Sequence, residues 1–358
     1  MRFIFKTDYN QDLRLLRHAG AVFWYAVLGL ALLAAPFLVE DFYVGELSFV
    51  FIWATAGIGL MLLIGFTGQV SLGHAAFLGI AAYAHAFMIQ HGVPFLISMP
   101  VAAALAGVVG FVIGLPALRL QGIYLAIATL AFAIIFEQVF IRWESVTGGF
   151  RGLAVAKPEI FGFTFDTEAS FYFLCLAVLV LVILAALNLL RSPTGRAWVA
   201  IRDSQIAAQS MGVNLAVYKT LAFSVSAFFT GLAGVLFAHK VGYLAPDIFT
   251  IVLSIQLLLL VVVGGVGSLQ GAVFGAIFIA ILPDAIAIGR DYLPEDVARQ
   301  PGLEPGLYGL ILVLFILFEP LGIYGRWVMI KLYFSLFPLY KKATFKRQKT
   351  YMKSERLR

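Results

Sequence analysis

The sequence predicts an all-α polytopic membrane protein with about ten transmembrane helices, and three observations carry this. Of 358 residues, 62% are apolar and only 12% charged, and the mean hydropathy is +0.97, which a water-soluble domain cannot carry. Between Glu46 and Arg119 there are 72 residues with no Asp, Glu, Lys or Arg. At 1.5 Å per helical residue and a hydrocarbon core about 30 Å thick, that stretch needs three crossings. The single cysteine, Cys175, lies in an apolar run, so neither a disulfide nor a thiolate metal site is available within the chain.

The segments follow in order. Arg2, Lys6, Arg14 and Arg17 precede an uncharged stretch from Gly20 to Val39. Its 20 residues and the acidic Asp8 and Asp12 before it fit a retained first helix better than a secretory signal. The long uncharged run divides at Thr67-Gly68-Gln69 and at His91-Gly92-Val93-Pro94 into spans near 47–65, 72–90 and 95–118. Further spans are expected near 120–141, 170–190, 220–239, 248–264, 269–288 and 305–322.

Charge sets the orientation. Four Lys or Arg in the N-terminal segment, four in the 191–219 loop and ten of the 25 after Gly325 alternate with acidic connections at 40–46, 142–169 and 284–304. The positive-inside rule then places both termini and the 191–219 loop in the cytoplasm. The domains expected are a cytoplasmic segment over 1–19, a permease domain over 20–325 and a basic cytoplasmic tail over 326–358. The basic excess belongs to that tail, where it suits lipid headgroups, and does not mark a nucleic-acid-binding face.

Two glycine-rich stretches interrupt the apolar runs. Gly65 to Gly79 brings Gln69, Ser71 and His74 to membrane depth among glycines, and Gly264-Gly265-Val266-Gly267-Ser268 to Gly275 echoes its order about 200 residues later. Irregular backbone at that depth is tolerated only where protein or water shields it, so Gln69, Ser71, His74, Gly264, Gly265 and Ser268 are candidates to line a translocation pathway, and the echo suggests two related halves. Close packing through small residues, with His74 bonded to a neighbouring carbonyl, is the other reading of the same residues.

In the 191–219 loop, Ser204 is placed to cap a helix of about two turns from Gln205 to Met211, ended by Gly212. So short a helix needs something to lie against. A partner could receive its small face and pair with Arg196, Arg202 and Asp203; packing on this chain's own helix ends is the alternative. Glu137 is the acid well inside a span, which would suit an ion-coupled carrier. The chain has no Gly-Lys dipeptide, hence no phosphate-binding loop. It has no H-E-x-x-H and no serine elbow, and its five histidines, His18, His74, His85, His91 and His239, are scattered. No enzyme activity, metal or cofactor is expected in this chain, and ATP, if it drives transport, binds elsewhere.

Four stretches together resemble the M-type permease subunits of branched-chain amino-acid ABC importers. They are Gly68 to Phe77, Tyr124 to Phe136 with Thr147-Gly148-Gly149, the Ser192 to Gly212 loop, and Gly264 to Ser268. The resemblance implies a plasma-membrane subunit that pairs with a similar permease, docks two ATP-binding subunits in the cytoplasm and receives substrate from a periplasmic binding protein. It also implies an E-A-A-x-x-x-G type docking pattern, matched here by Ala207, Ala208 and Gly212, with Ile206 where the acid would stand. Substrates of similar permeases extend to urea, amides and aromatic acids. An ion-coupled carrier and a membrane scaffold are the competing classes.

Overall fold

The computed structural model describes residues 19–290 and 303–336. A helix overlies each of the ten segments expected from the sequence. They are α1 (Ala19–Leu38), α2 (Asp41–Thr67), α3 (His74–Gln90), α4 (Phe95–Ala117), α5 (Ile123–Arg142), α7 (Glu168–Arg191), α10 (Leu215–Val241), α11 (Ile251–Gly264), α12 (Leu269–Arg290) and α13 (Leu303–Phe318). Among the described residues, seven helical stretches are long and apolar enough to cross a membrane. The helix α14 (Gly322–Leu336) runs across Gly325, where the sequence set the start of the tail. The tail beyond Leu336 and the N-terminal segment to His18 lie outside the described residues.

Several helices outrun their apolar stretches. The acidic Asp41 sits in the first turn of α2, where the helix dipole favours a negative charge. Asn214 starts α10 by accepting from the backbone N–H groups of Ala216 and Val217 at 3.0 and 3.3 Å, so this helix begins five residues before its expected apolar span. The Thr167 hydroxyl caps α7 through the Ser170 N–H at 3.2 Å.

The central helices are α2 and α10, enclosed over most of their length. Around them, α10 packs on α4, α2 and α3, while α2 also packs on α12 and α7. Large apolar side chains of α1, α4, α5, α7 and α13 face outward, as expected where lipid or another membrane subunit replaces water.

Irregular structure gathers at the two ends of the bundle. At one end, the short α6 (Glu144–Thr147) and a 3-10 turn lead into β1 (Leu153–Ala154), which pairs antiparallel with β4 (Tyr243–Leu244). A hairpin joins β2 (Glu159–Ile160) to β3 (Phe163–Thr164). Phe161 and Gly162, at φ 52° and 83°, make its two-residue turn.

The other end carries α8 (Pro193–Asp203) and the six-residue α9 (Gln205–Ser210). The caps Ser204 and Gly212 mark α9 in the sequence, whereas α8 lies in a stretch expected to be loop. Ser192 caps α8 with Pro193 in its first turn. Its Trp198 is fully buried and donates from Nε1 to the Tyr218 carbonyl at 2.9 Å. The loop is thereby bolted to α2, α7 and α10.

Replacing Trp198 by Ala removes the largest buried side chain of α8 and should cost about 3–5 kcal/mol. Cys175 is fully buried and is the single thiol of the chain. Its maleimide labelling on heating of the detergent-solubilised protein should therefore begin at clearly lower temperature in Trp198→Ala; an unchanged labelling curve contradicts the anchoring role.

Candidate functional site

The break between α2 and α3 is built from its own residues outward. Gly68 ends α2 in the left-handed conformation, φ 70°, and the Gln69 N–H reaches back to the Leu63 carbonyl at 3.2 Å, a Schellman closure. The Thr67 hydroxyl donates to the Leu63 carbonyl at 2.5 Å, and Gln69 Nε2 donates to Thr67 Oγ1 at 3.0 Å. Gln69 is buried, and its Oε1 has no hydrogen-bond partner among the described residues.

Distant helices satisfy what this turn leaves open. Thr129 Oγ1 of α5 accepts from the Leu72 N–H at 2.9 Å, and Ser254 Oγ of α11 accepts from the Ala75 N–H at 3.2 Å. His74 is fully enclosed. Its Nδ1 meets Ser71 Oγ at 3.0 Å and its Nε2 meets Ser226 Oγ of α10 at 2.8 Å, while Ser226 Oγ lies 2.6 Å from the Gly59 carbonyl of α2. A carbonyl only accepts, so the Ser226 proton goes to Gly59. The network therefore assigns the His74 proton to Nε2, donating to Ser226, and leaves Nδ1 to accept from the Ser71 hydroxyl.

The second break, between α11 and α12, also uses positive-φ glycines but lacks the Schellman closure, Gly265 N–H bonding only to the Val261 carbonyl at 3.1 Å. Gly265 and Gly267 adopt φ 117° and 89°, and Ser268 Oγ accepts from the Gly271 N–H at 2.8 Å in the first turn of α12. The two breaks touch: a Cβ added at Gly65 would lie 2.6 Å from the Gly267 nitrogen. The start of α14 closes on the same place, since a Cβ added at Gly322 would lie 2.6 Å from the Cα of Gly265.

Arg202, at the end of α8, spans this junction. Its Nη1 donates to the Gly65 carbonyl at 3.0 Å, while Nε and Nη2 donate to Asp203 Oδ1 at 3.1 and 3.0 Å. The pair with Asp203 is largely exposed, and such pairs contribute little stability. Its effect is to hold the guanidinium in position for the Gly65 carbonyl.

The helix α9 forms as its caps require. Ser204 Oγ accepts from the Ala207 N–H at 3.2 Å, and Gly212 follows at φ 86°. Ala208 packs inward on this chain, so it is Ile206 and Met211, 84% and 86% exposed, that stand out from the helix. Ala207 is exposed as well. Arg196 turns back to the Arg191 carbonyl at 3.0 Å. Glu137 is half-buried on α5, remote from the junction, with no hydrogen bond or ion pair among the described residues.

The structure thus brings Gln69, Gly264, Gly265, Ser268 and Arg202 to one end of the bundle, with Ser71 and His74 reaching inward from it to Ser226 near the middle of α10. Thr129, Ser226 and Ser254, small hydroxyls inside apolar helices, gave no sequence signal. Neither did the pairing of His85 with His239, Nε2 to Nε2 at 2.7 Å. His239 also meets the Ala156 carbonyl at 2.8 Å through Nδ1, at the opposite end of the bundle.

A bundle of apolar helices with two touching glycine breaks, clamped by a polar loop, is the architecture of a polytopic membrane protein. The family model for the branched-chain amino acid transport system permease component matches residues 43–317, and the chain belongs to that family. It is 34% identical over 327 residues to the high-affinity branched-chain amino acid transport system permease protein LivM of Escherichia coli strain K12, covering 84% of this chain and 74% of that protein. A probable branched-chain amino acid transport permease protein LivM of Methanocaldococcus jannaschii is 24% identical over 232 residues, 62% of this chain and 67% of that one. The autoinducer 2 import system permease protein LsrC of Enterobacter sp. strain 638 is 26% identical over 279 residues, 73% and 78% respectively. No solved structure matches the chain.

Two substitutions test the junction. Gly65→Ala forces a Cβ against the Gly267 backbone at a distance real contacts do not show and should lower thermal stability and any transport together. Ser226→Ala removes the acceptor of His74 and the donor to Gly59, an expected cost of about 1–3 kcal/mol. Stability equal to the parent protein in both variants would show that the junction is not a packed constraint.

Proposed function

We propose that this chain is the transmembrane permease subunit of an ATP-driven importer in the plasma membrane, carrying branched-chain or related amino acids. In this reading the chain crosses the membrane ten times with both termini and α8–α9 in the cytoplasm, which the Lys and Arg counts of the three polar segments support. ATP binds and is hydrolysed in two partner subunits. A second, similar permease completes the membrane part, and a periplasmic binding protein supplies the substrate. The names of the relatives support the substrate class, and selection among substrates rests largely on the binding protein in this reading.

The single observation that carries the reading is the bond from Arg202 to the Gly65 carbonyl. A polar loop that presents two bare apolar side chains, Ile206 and Met211, at its tip is joined by one guanidinium to the place where both glycine breaks meet. Apolar tips on a short helix are groove-filling elements for a partner protein. Movement imposed on α9 by the ATP-binding subunits reaches the breaks through α8 and Arg202, and the breaks are where the helices can pivot. In the conformation described, Gln69, Ser71 and His74 are enclosed in protein; they line the pathway when the breaks open.

The departure from the docking pattern follows the same geometry. With Ile206 where an acid would stand, contact at that position is apolar, and Ala208, packed inward, sets the seat of the helix. Ile206→Asp should leave membrane insertion and thermal stability unchanged while lowering ATP-dependent uptake by about tenfold or more, as a buried unpaired charge at an interface costs several kcal/mol. The assay is uptake in proteoliposomes holding the assembled complex, with copurification of the ATP-binding subunits scored in parallel. Full uptake and full copurification by Ile206→Asp would overturn the docking role of α9.

A further inference from the structure

Beside α9 lies a groove of about 530 Å³ that the transport reading does not use. It runs between the end of α4, the side of α9 and the first turns of α10, and its polar lining is Gln121, Gln205, Gln209, Asn214 and Lys219. Lys219 is 3% exposed. Its Nζ donates to Gln205 Oε1 at 2.9 Å, and Gln121 Nε2 donates to the same oxygen at 3.1 Å. Both lone pairs of that carbonyl are then taken, and the ammonium has two further N–H donors. Among the described residues no Asp or Glu pairs with Lys219.

This is an unusual place for a lone cation. A buried ammonium is strongly disfavoured unless a negative group accompanies it. Its position in the second turn of α10 makes matters worse, because the N-terminal end of a helix carries partial positive charge. A buried ammonium beside side-chain amides that donate is what binds an oxyanion. We propose that the groove is a binding site for a phosphate-class oxyanion, held by Lys219 with the amide nitrogens of Gln121 and Gln209.

Depth narrows the source. The 27 residues of α10 extend about 40 Å, against a hydrocarbon core of about 30 Å, so an overhang of about 5 Å at each end puts the second turn at the boundary of the core, within reach of the headgroups. A phosphodiester on a lipid neck, or free phosphate from the cytoplasm, can reach that level through a narrow groove. The proposal does not depend on α9 docking to an ATP-binding subunit; it needs only the groove and the unpaired cation.

The experiment uses the full chain in two arms. In the first, protein in detergent is titrated with inorganic phosphate and followed by its thermal transition. In the second, protein released from nanodiscs of phosphatidylglycerol and phosphatidylcholine is examined by native mass spectrometry for retained lipid. Wild type should show saturable stabilisation by phosphate or preferential retention of one phosphatidylglycerol, and the responding arm identifies the source. Lys219→Met should lose the effect by about tenfold or more, and Lys219→Arg should keep it. Gln205→Glu, which supplies a carboxylate at the position Nζ already contacts, should displace the ligand and raise stability in its absence; it remains decisive if Lys219→Met does not fold. No saturable response of wild type in either arm, or a response of Gln205→Glu equal to wild type, overturns the site. The first of these results would fit an acidic side chain of a docked protein as the natural counter-charge.

Discussion

Where a buried helix breaks, each freed backbone N–H and C=O must find a partner inside the protein, because neither lipid nor packed apolar side chains offer one. The rest of the structure is arranged around that demand at two places. Between Thr67 and His74, hydroxyls from α5, α10 and α11 converge on the turn and on the first residues of α3. At Gly264 and Gly265, backbone approaches so closely that no side chain fits. Helices distant in sequence are thus held in one arrangement by a few hydrogen bonds. A change in any of them is felt at the others.

That arrangement explains how a surface loop can matter to a buried turn. α8 is anchored by Trp198 and its bond to Tyr218, so it moves as a unit with the base of α10. Arg202 extends from its last turn to Gly65, and α9 follows immediately, with Ile206 and Met211 left bare. Force applied to the tip has a short mechanical path to the breaks: one helix of eleven residues and one guanidinium.

Much of this was legible in the sequence for a physical reason. Apolar runs long enough to span, the glycines that end helices in left-handed conformations, and Ser204 with Gly212 at the two ends of α9 are local signals, and each segment carries its own. What escaped was tertiary. Thr129, Ser226 and Ser254 are small hydroxyls in apolar helices, and only the fold shows that they serve a turn 57 to 179 residues away. The pairing of His85 with His239 joins helices 154 residues apart. The helix α8 was missed because its polar and charged residues mask the buried Trp198. Ala208, which the docking pattern placed toward a partner, is turned inward because the two-turn helix rests on this chain through its small face.

The central claim is that Arg202 transmits movement from the loop to the glycine breaks. The most direct measurement is the ratio of substrate imported to ATP hydrolysed, taken on the reconstituted transporter with its partner subunits, for Arg202→Met against the parent chain. A lost charge-assisted hydrogen bond of about 1.5–3 kcal/mol should leave hydrolysis running while import per ATP falls about tenfold or more. An unchanged ratio at full assembly would contradict the account.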